Sequence, residues 1–325
     1  MDQGNALDLG HKKVAASSES KDLIFDEDRL KIYYNKIFPY KLMFRWMSYG
    51  KINTNNRALA SLDEGISSSY FHNREFSFTL ANDVYCRYLC FKTADQFKET
   101  LVDRCPFKID MGAVYNIPPD RHNASDKRAF VPLQKEMVFD IDMNDYDDVR
   151  TCCTGAKVCE KCWQYLKVAM VILTQILNED FDFENVLWVF SGRRGIHAWV
   201  CDESAREMTN EMRGAVVGYC NLGVGNEMSG RTQLQFPLHP RLRKCYEYLL
   251  PKFKELIIEE HDLLKTETHR ERFLQYCMDQ KMKDEVRAEW SGMKNNGSRM
   301  WEVWCEKYDE AVARRDKMGK GRSND

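Results

Sequence analysis

Asp140 and Asp142 stand two residues apart in the run Glu136-Met-Val-Phe-Asp-Ile-Asp142. Among β-forming neighbours this spacing puts both carboxylates on one strand face and turns Phe139 and Ile141 to the other. Paired acids on a rigid strand suit two divalent cations ~4 Å apart, which activate an attacking oxygen and neutralise a leaving phosphate. For a lone Asp-x-Asp the commoner outcome is a strand end carrying two solvated acids. Further along, Ser191-Gly-Arg-Arg-Gly-Ile-His197 combines groups suited to an anion. Gly192 and Gly195 allow backbone N–H groups to come close. Arg193 and Arg194 offer forked, permanently charged donors, and Ser191 and His197 add shorter polar contacts. The segment reads as a triphosphate cradle or as a solvated hairpin tip.

Cys152, Cys153, Cys159 and Cys162 place four thiols within eleven residues. That is enough for the closed tetrahedral sulfur set of a structural Zn2+, with no position left for a reacting water. The adjacent first pair is the unusual part of the spacing. Arg74, Glu75, Arg87, Lys108 and Asp110 are charged groups inside strand-like apolar sequence. Such residues are ordinarily the exposed face of half-buried strands, and here they matter if they converge on the aspartates.

The elements that must carry these groups follow from periodicity. Apolar and aromatic residues recur at helical spacing from Leu23 to Tyr49, and Pro39 separates two helices. Glu75–Leu80 alternates as a strand, Val84–Phe91 fits strand or helix, and Lys108–Tyr115 is again a strand. A helix is expected from about Trp163 to Leu177, burying Leu166, Met170, Leu173 and Leu177 on one face. Val186–Phe190 reads as a strand covered on both sides, and Ile196–Val200 as a second strand after a tight turn. Beyond Pro240 the sequence turns helical and highly charged. This order predicts an α+β core with a helical C-terminal appendage. The expected division is a flexible leader over 1–20, a core over 21–240, a helical region over 241–310 and a polar tail over 311–325. The zinc module falls at about 150–163.

With 325 residues, 43% hydrophobic and 30% charged, the chain has material for a sizeable core. Its 48 basic and 50 acidic residues leave a net charge of −2, so any surface for nucleic acid must be local. The polar stretch Met1–Glu19 lacks a signal peptide's apolar centre, and Val168–Leu177 is too short to span a bilayer. Twelve cysteines without a secretion signal point to reduced thiols or metal ligands in the cell interior.

Taken together, the motifs resemble the small catalytic subunit of the eukaryotic-type DNA primase. The resemblance is carried by His72-Asn-Arg-Glu-Phe-Ser-Phe-Thr-Leu80, Lys108-Ile-Asp-Met-Gly-Ala-Val-Tyr115 and Val138-Phe-Asp-Ile-Asp-Met-Asn-Asp-Tyr-Asp-Asp-Val-Arg150. The four cysteines and Trp188-Val-Phe-Ser-Gly-Arg-Arg-Gly-Ile-His-Ala-Trp-Val200 complete the set, in family order over roughly 25–310. The resemblance implies a mixed-sheet primase core that makes short RNA primers on single-stranded DNA from ribonucleoside triphosphates. It implies catalytic Mg2+ or Mn2+ on Asp140 and Asp142, with Glu75 a further active-site acid. It places Ser191, Arg193, Arg194 and His197 on the triphosphate, and Arg87, Lys108 and Asp110 around the nucleotide, Asp110 toward a ribose hydroxyl. It assigns Cys152, Cys153, Cys159 and Cys162 to Zn2+. It further implies a primase large subunit and the DNA polymerase alpha complex as partners, the nucleus as location, and no membrane. The family's core continues into a strand with a third metal-binding aspartate, then a Lys and a His at the nucleotide. No counterpart is found in this sequence, and Asp309 lacks the expected neighbours. The chain is therefore expected to lack the C-terminal part of that core. Whether it is a fragment, a splice product or a diverged protein stays open. The rival readings are a weakly active or inactive subunit retaining assembly contacts and, less favoured, a metal-dependent nuclease.

Overall fold

A computed structural model describes residues 26–49, 69–123, 129–221, 225–226, 231–232, 237–293 and 296–320. The expected leader over 1–20 lies outside the described residues. The chain forms two compact units, Met1–Pro132 and Leu133–Asp325.

In the first unit, α1 (Glu27–Lys36) starts where the Asp26 side chain accepts from the backbone N–H groups of Asp28 and Arg29. Pro39 sits at the start of α2 (Tyr40–Ser48), so the break falls where the sequence puts it. After α3 (Ser69–His72) come β1 (Arg74–Thr79), β2 (Tyr85–Leu89), α4 (Ala94–Arg104) and β3 (Lys108–Tyr115). The ambiguous segment after Val84 is thus a strand. β1 lies between β2 and β3, antiparallel to both. The core is aromatic: Phe71, Phe76, Phe78 and Phe97 are fully buried, with the Phe76 and Phe97 rings 5.2 Å apart. Alternation predicts that β1 is half exposed, but all six of its residues are buried. Glu75, Ser77 and Thr79 are shielded on their face as Phe76 and Phe78 are on theirs.

The short strand β4 (Pro132–Gln134) falls at the boundary. The second unit is built on β5 (Met137–Asp142), the helix α5 (Glu160–Phe181), β6 (Val186–Phe190) and β7 (Gly195–Val200). The strand order is β5-β7-β6, with both pairings antiparallel. The α+β class therefore holds, but the β1–β2, β1–β3, β5–β7 and β6–β7 pairings are all antiparallel, where a mixed sheet is expected. Helix α5 extends past the Trp163–Leu177 stretch at both ends. Leu173 and Leu177 pack against Met137, Ala198 and Val200, while Leu166 packs with Met143 and Ile196. Each such leucine contributes on the order of 1.5–3 kcal/mol through its burial. Trp188 donates its ring N–H to Thr174 Oγ1 at 3.0 Å, tying β6 to α5.

Two short helices, α6 (Glu203–Arg206) and α7 (Asn210–Cys220), lead to α8 (Pro240–Lys252), which widens into a π-helical stretch at Phe253–Glu260. α9 (Glu267–Leu274), α10 (Gln280–Ser291) and α11 (Gly297–Lys320) then enclose a core of their own around Leu264, Val286, Trp290 and Val303. The stretch expected as a polar tail continues α11 to Lys320, and Ala311 is buried in that core. Among the described residues no helix is long and apolar enough to cross a membrane.

Candidate active site

The second unit brings the aspartates and the arginine-bearing turn together. Across β5 and β7, Asp140 faces His197 and Asp142 faces Gly195. Paired residues of antiparallel strands point to the same side, so Asp140, Asp142 and His197 share one face. Phe139 and Ile141 pack on the other side, among α5 residues. His197 Nε2 lies 3.3 Å from Asp140 Oδ1. Arg194 donates Nε–H to both oxygens of Asp142, at 2.7 and 2.9 Å. The Asp140 side chain is 72% exposed and that of Asp142 37%, so both are open to solvent. The Arg194 hydrogen bond, then the backbone N–H of Asn144, hold the Asp142 carboxyl below the ordinary carboxylate range.

The turn is closed by its own residues. Ser191 N–H donates to Gly195 O at 2.9 Å, and Gly195 N–H donates to Ser191 Oγ at 3.0 Å. The Ser191 oxygen is thus engaged as an acceptor, while its own O–H remains a donor. Gly192 has φ +88°, which explains glycine there. Gly195 is required for another reason than the approach of an anion. A Cβ at Gly195 would lie 2.8 Å from Ile141 O, so the missing side chain lets the turn pack on β5. Met143 N–H donates to Arg194 O at 3.2 Å, fixing the turn to the residue after Asp142. Arg193 is exposed.

The other expected site residues form a second constellation, in the first unit. Glu75 is buried, and Arg87 grips it with a fork: Nε to Oε1 at 2.9 Å and Nη2 to Oε2 at 3.2 Å. Tyr115 Oη donates to Glu75 Oε2 at 3.3 Å. The strands on either side of β1 each carry a bulge here. Arg87 and Tyr88 together oppose Ser77, and Gly112 and Ala113 oppose Glu75. Tyr88 has φ +61°, and its N–H reaches Glu75 Oε1 at 3.4 Å. Asp110 pairs with Ser77 and Lys108 with Thr79, so both lie on the Glu75 face, where both are exposed. The reading of these charges as merely an exposed strand face therefore fails for Glu75.

The cysteine module also assembles. The four Sγ atoms lie within 4.8 Å of one another, and those of Cys159 and Cys162 are 3.9 Å apart. Tetrahedral zinc with Zn–S bonds of about 2.3 Å needs edges of about 3.8 Å, so the donor set fits Zn2+. Cys159 caps α5, and Cys162 Sγ accepts from the Cys159 N–H at 3.2 Å, so the helix start positions half of the set. Burial pushes the Cys152 thiol up to about 12, whereas the Cys162 backbone N–H, ahead of other contacts, draws Cys159 down to about 6. Arg150, its side chain fully buried, donates to Lys157 O, Gly155 O and Cys162 Sγ and pairs with Asp147. Among the described residues, no other group of three or more His, Cys, Asp or Glu side chains is gathered as a metal set. A cation on Asp140 and Asp142 would complete its shell with water and phosphate oxygens, as Mg2+ commonly does.

A profile of the DNA primase small subunit family matches residues 139–317, a span that holds the Asp142–Arg194 pair and all four cysteines. The chain belongs to the DNA primase small subunit family. The chain is 38% identical over 268 residues to the DNA primase small subunit of Schizosaccharomyces pombe, covering 82% of itself and 56% of that protein. It is 38% identical over 282 residues to that of Drosophila melanogaster, covering 86% and 61%. Against that of Saccharomyces cerevisiae it is 34% identical over 262 residues, covering 80% and 61%. The chain thus spans 56% to 61% of the length of these curated relatives.

Three residues at these sites stand inside the quoted motifs, but nothing in the linear sequence gives their roles. Tyr115 and Gly112 act through a strand pairing, and Asn144 is an ordinary turn residue until Arg194 is placed beside it. Arg150 alone is hinted at, by its position two residues before the first cysteine pair.

Proposed function

We propose that this chain is the catalytic subunit of a DNA primase, joining ribonucleotides on single-stranded DNA by two-metal nucleotidyl transfer. The observation that carries the reading is the contact of Arg194 with Asp142, which sets an arginine-bearing turn beside two carboxylates on one sheet face. Mg2+ or Mn2+ held by Asp140 and Asp142 would supply activation of a 3′-hydroxyl and charge neutralisation at the leaving pyrophosphate. Arg193 and Arg194 bind the triphosphate as forked donors, Ser191 adds its O–H, and His197 adds an imidazole N–H from β7. Glu75 is the acid of the second constellation, oriented by Arg87. Asp110 accepts from a ribose hydroxyl and Lys108 balances negative charge nearby. Zn2+ in the four-cysteine set staples the start of α5 and does no chemistry.

The division into a core over 21–240 and a helical region over 241–310 belongs to the same proposal. So do a primase large subunit and the DNA polymerase alpha complex as partners, and the nucleus as the place of work. The eukaryotic small-subunit relatives support the large subunit as a partner and the nucleus as the place of work.

Primer synthesis on a homopolymer DNA template with Mg2+ or Mn2+ tests the reading. Synthesis that Asp140→Ala abolishes is the expected result. No synthesis, with normal capture of the large subunit, would leave an assembly role instead. Template loss without nucleotides would mark a nuclease.

A further inference from the structure

Asp142 already has a cation. The Arg194 guanidinium lies on both carboxylate oxygens, at 2.7 and 2.9 Å from Nε. Mg2+ binds carboxylate oxygen at about 2.0–2.1 Å, so it would stand against that guanidinium as a like charge on the same edge. The two cannot both hold this edge of Asp142. Apart from Asp142, Arg194 is held through its backbone, since Met143 N–H holds its carbonyl at 3.2 Å, and through Nη2 by the neutral Asn144 amide. Its side chain is 24% exposed, so water reaches the pair and the guanidinium can leave without being stranded in a dry interior.

The neighbouring Asn144 touches both partners of the pair. With its amide oxygen toward Arg194 and its nitrogen toward Gly155, the orientation its neighbours require, it accepts from Arg194 Nη2 at 2.9 Å. It then donates to Gly155 O at 3.0 Å. Its backbone N–H independently donates to Asp142 Oδ1 at 2.9 Å. That bond does not involve Arg194, so the carboxylate keeps its orientation when the guanidinium departs.

We propose that Arg194 is an exchangeable counter-ion of Asp142, displaced by the incoming divalent cation and thereby released to the nucleotide's phosphates. Cation and nucleotide then bind with positive coupling, because each removes what holds the other's ligand. This rests on the reading of Asp140 and Asp142 as cation ligands. A fixed ion pair that only orients Asp142 is the competing arrangement, and it predicts the opposite response to loss of Arg194.

The test titrates the full chain with Mn2+ alone, without nucleotide, reading free Mn2+ by electron paramagnetic resonance. Arg194→Gln is expected to bind Mn2+ at least about fivefold more tightly than the unaltered protein, the low end of usual coupling factors. Equal or weaker binding overturns the proposal. A second measurement reads the unaltered protein and uses a conservative variant for assignment alone. With 15N-labelled arginine, the Arg194 Nε–H signal, assigned by its absence in Arg194→Lys, should shift and lose exchange protection on adding Mg2+. An unmoved signal at saturating Mg2+ also overturns it. Asp140→Asn separates the two levels of the argument. If Mn2+ binding is insensitive to that change, the cation site itself is refuted; if it is sensitive but Arg194 is inert, only the exchange is.

Discussion

Gly112 lies directly against Glu75: a Cβ on Gly112 would stand 3.0 Å from both the Glu75 Cβ and the Glu75 carbonyl oxygen. The bulge that brings β3 so close is also what sets Tyr115 over the Glu75 carboxylate. Gly112→Ala must therefore push back a buried strand. We expect a loss of about 1–3 kcal/mol, as for an overpacked core, measured by chemical denaturation.

Arg87 and Glu75 give a second prediction. Glu75 is buried while Arg87 is about half exposed, so removing the arginine strands a carboxylate rather than a guanidinium. Arg87→Ala should cost about 1–3 kcal/mol of stability. Arg87→Ala with Glu75→Gln should recover part of that loss, because the buried group is then neutral. A double-mutant cycle in urea measures the recovery, and strict additivity would show that the pair is not coupled.

Arg241 supplies a pH-dependent case. Its buried guanidinium pairs with Asp180 and with Glu179 (2.9 Å), joining α5 to α8. Hydrogen bonds from Arg241 hold the Asp180 carboxyl below its ordinary value, and those from Lys244 and Arg241 do the same for Glu179. A depressed folded-state value means stability that is present above the unfolded value, about 4 for these acids, and lost as pH falls through the folded one. Denaturation midpoints should therefore drop below about pH 4. Arg241→Met should flatten that part of the profile.

Zinc content is the fourth. We expect one Zn2+ per chain by mass spectrometry of metals, lost in Cys162→Ser. Stripping the ion should lower stability by at least about 3 kcal/mol, the linkage from a ligand held a hundredfold above its Kd. It should also loosen the first turn of α5, where Cys159 and Cys162 sit, as read by amide exchange.

Gly195→Ala probes the site's architecture. The added methyl would meet Ile141 O at 2.8 Å, so the turn must lift from β5. Primer synthesis should fall by more than about tenfold, a barrier change of about 1.4 kcal/mol. Asp140 itself is untouched by the change. Circular dichroism melting should show a smaller effect than the activity does.

Several features of the fold were legible before any coordinates. The shared face of Asp140 and Asp142 follows from the two-residue period of a strand, and the buried stripe of α5 from helical spacing at Leu166, Leu173 and Leu177. The cysteine set was legible because its ligands lie close together in sequence. The start of α5 was not, since Cys159 caps the helix through sulfur rather than through a usual capping side chain. The burial of Glu75 was hidden as well: alternation marks two faces of β1 but does not say that both are covered.

By itself, the sequence determined which groups could act and which way they point along each strand, because those depend on backbone geometry within a few residues. Tertiary structure decided their partners. Arg194 meets Asp142 across 52 positions of sequence, Tyr115 meets Glu75 across 40, and Gly195 is needed because Ile141 runs beside it. Strand pairing and register create these contacts, and they are selected by the packing of the whole unit rather than by any local preference.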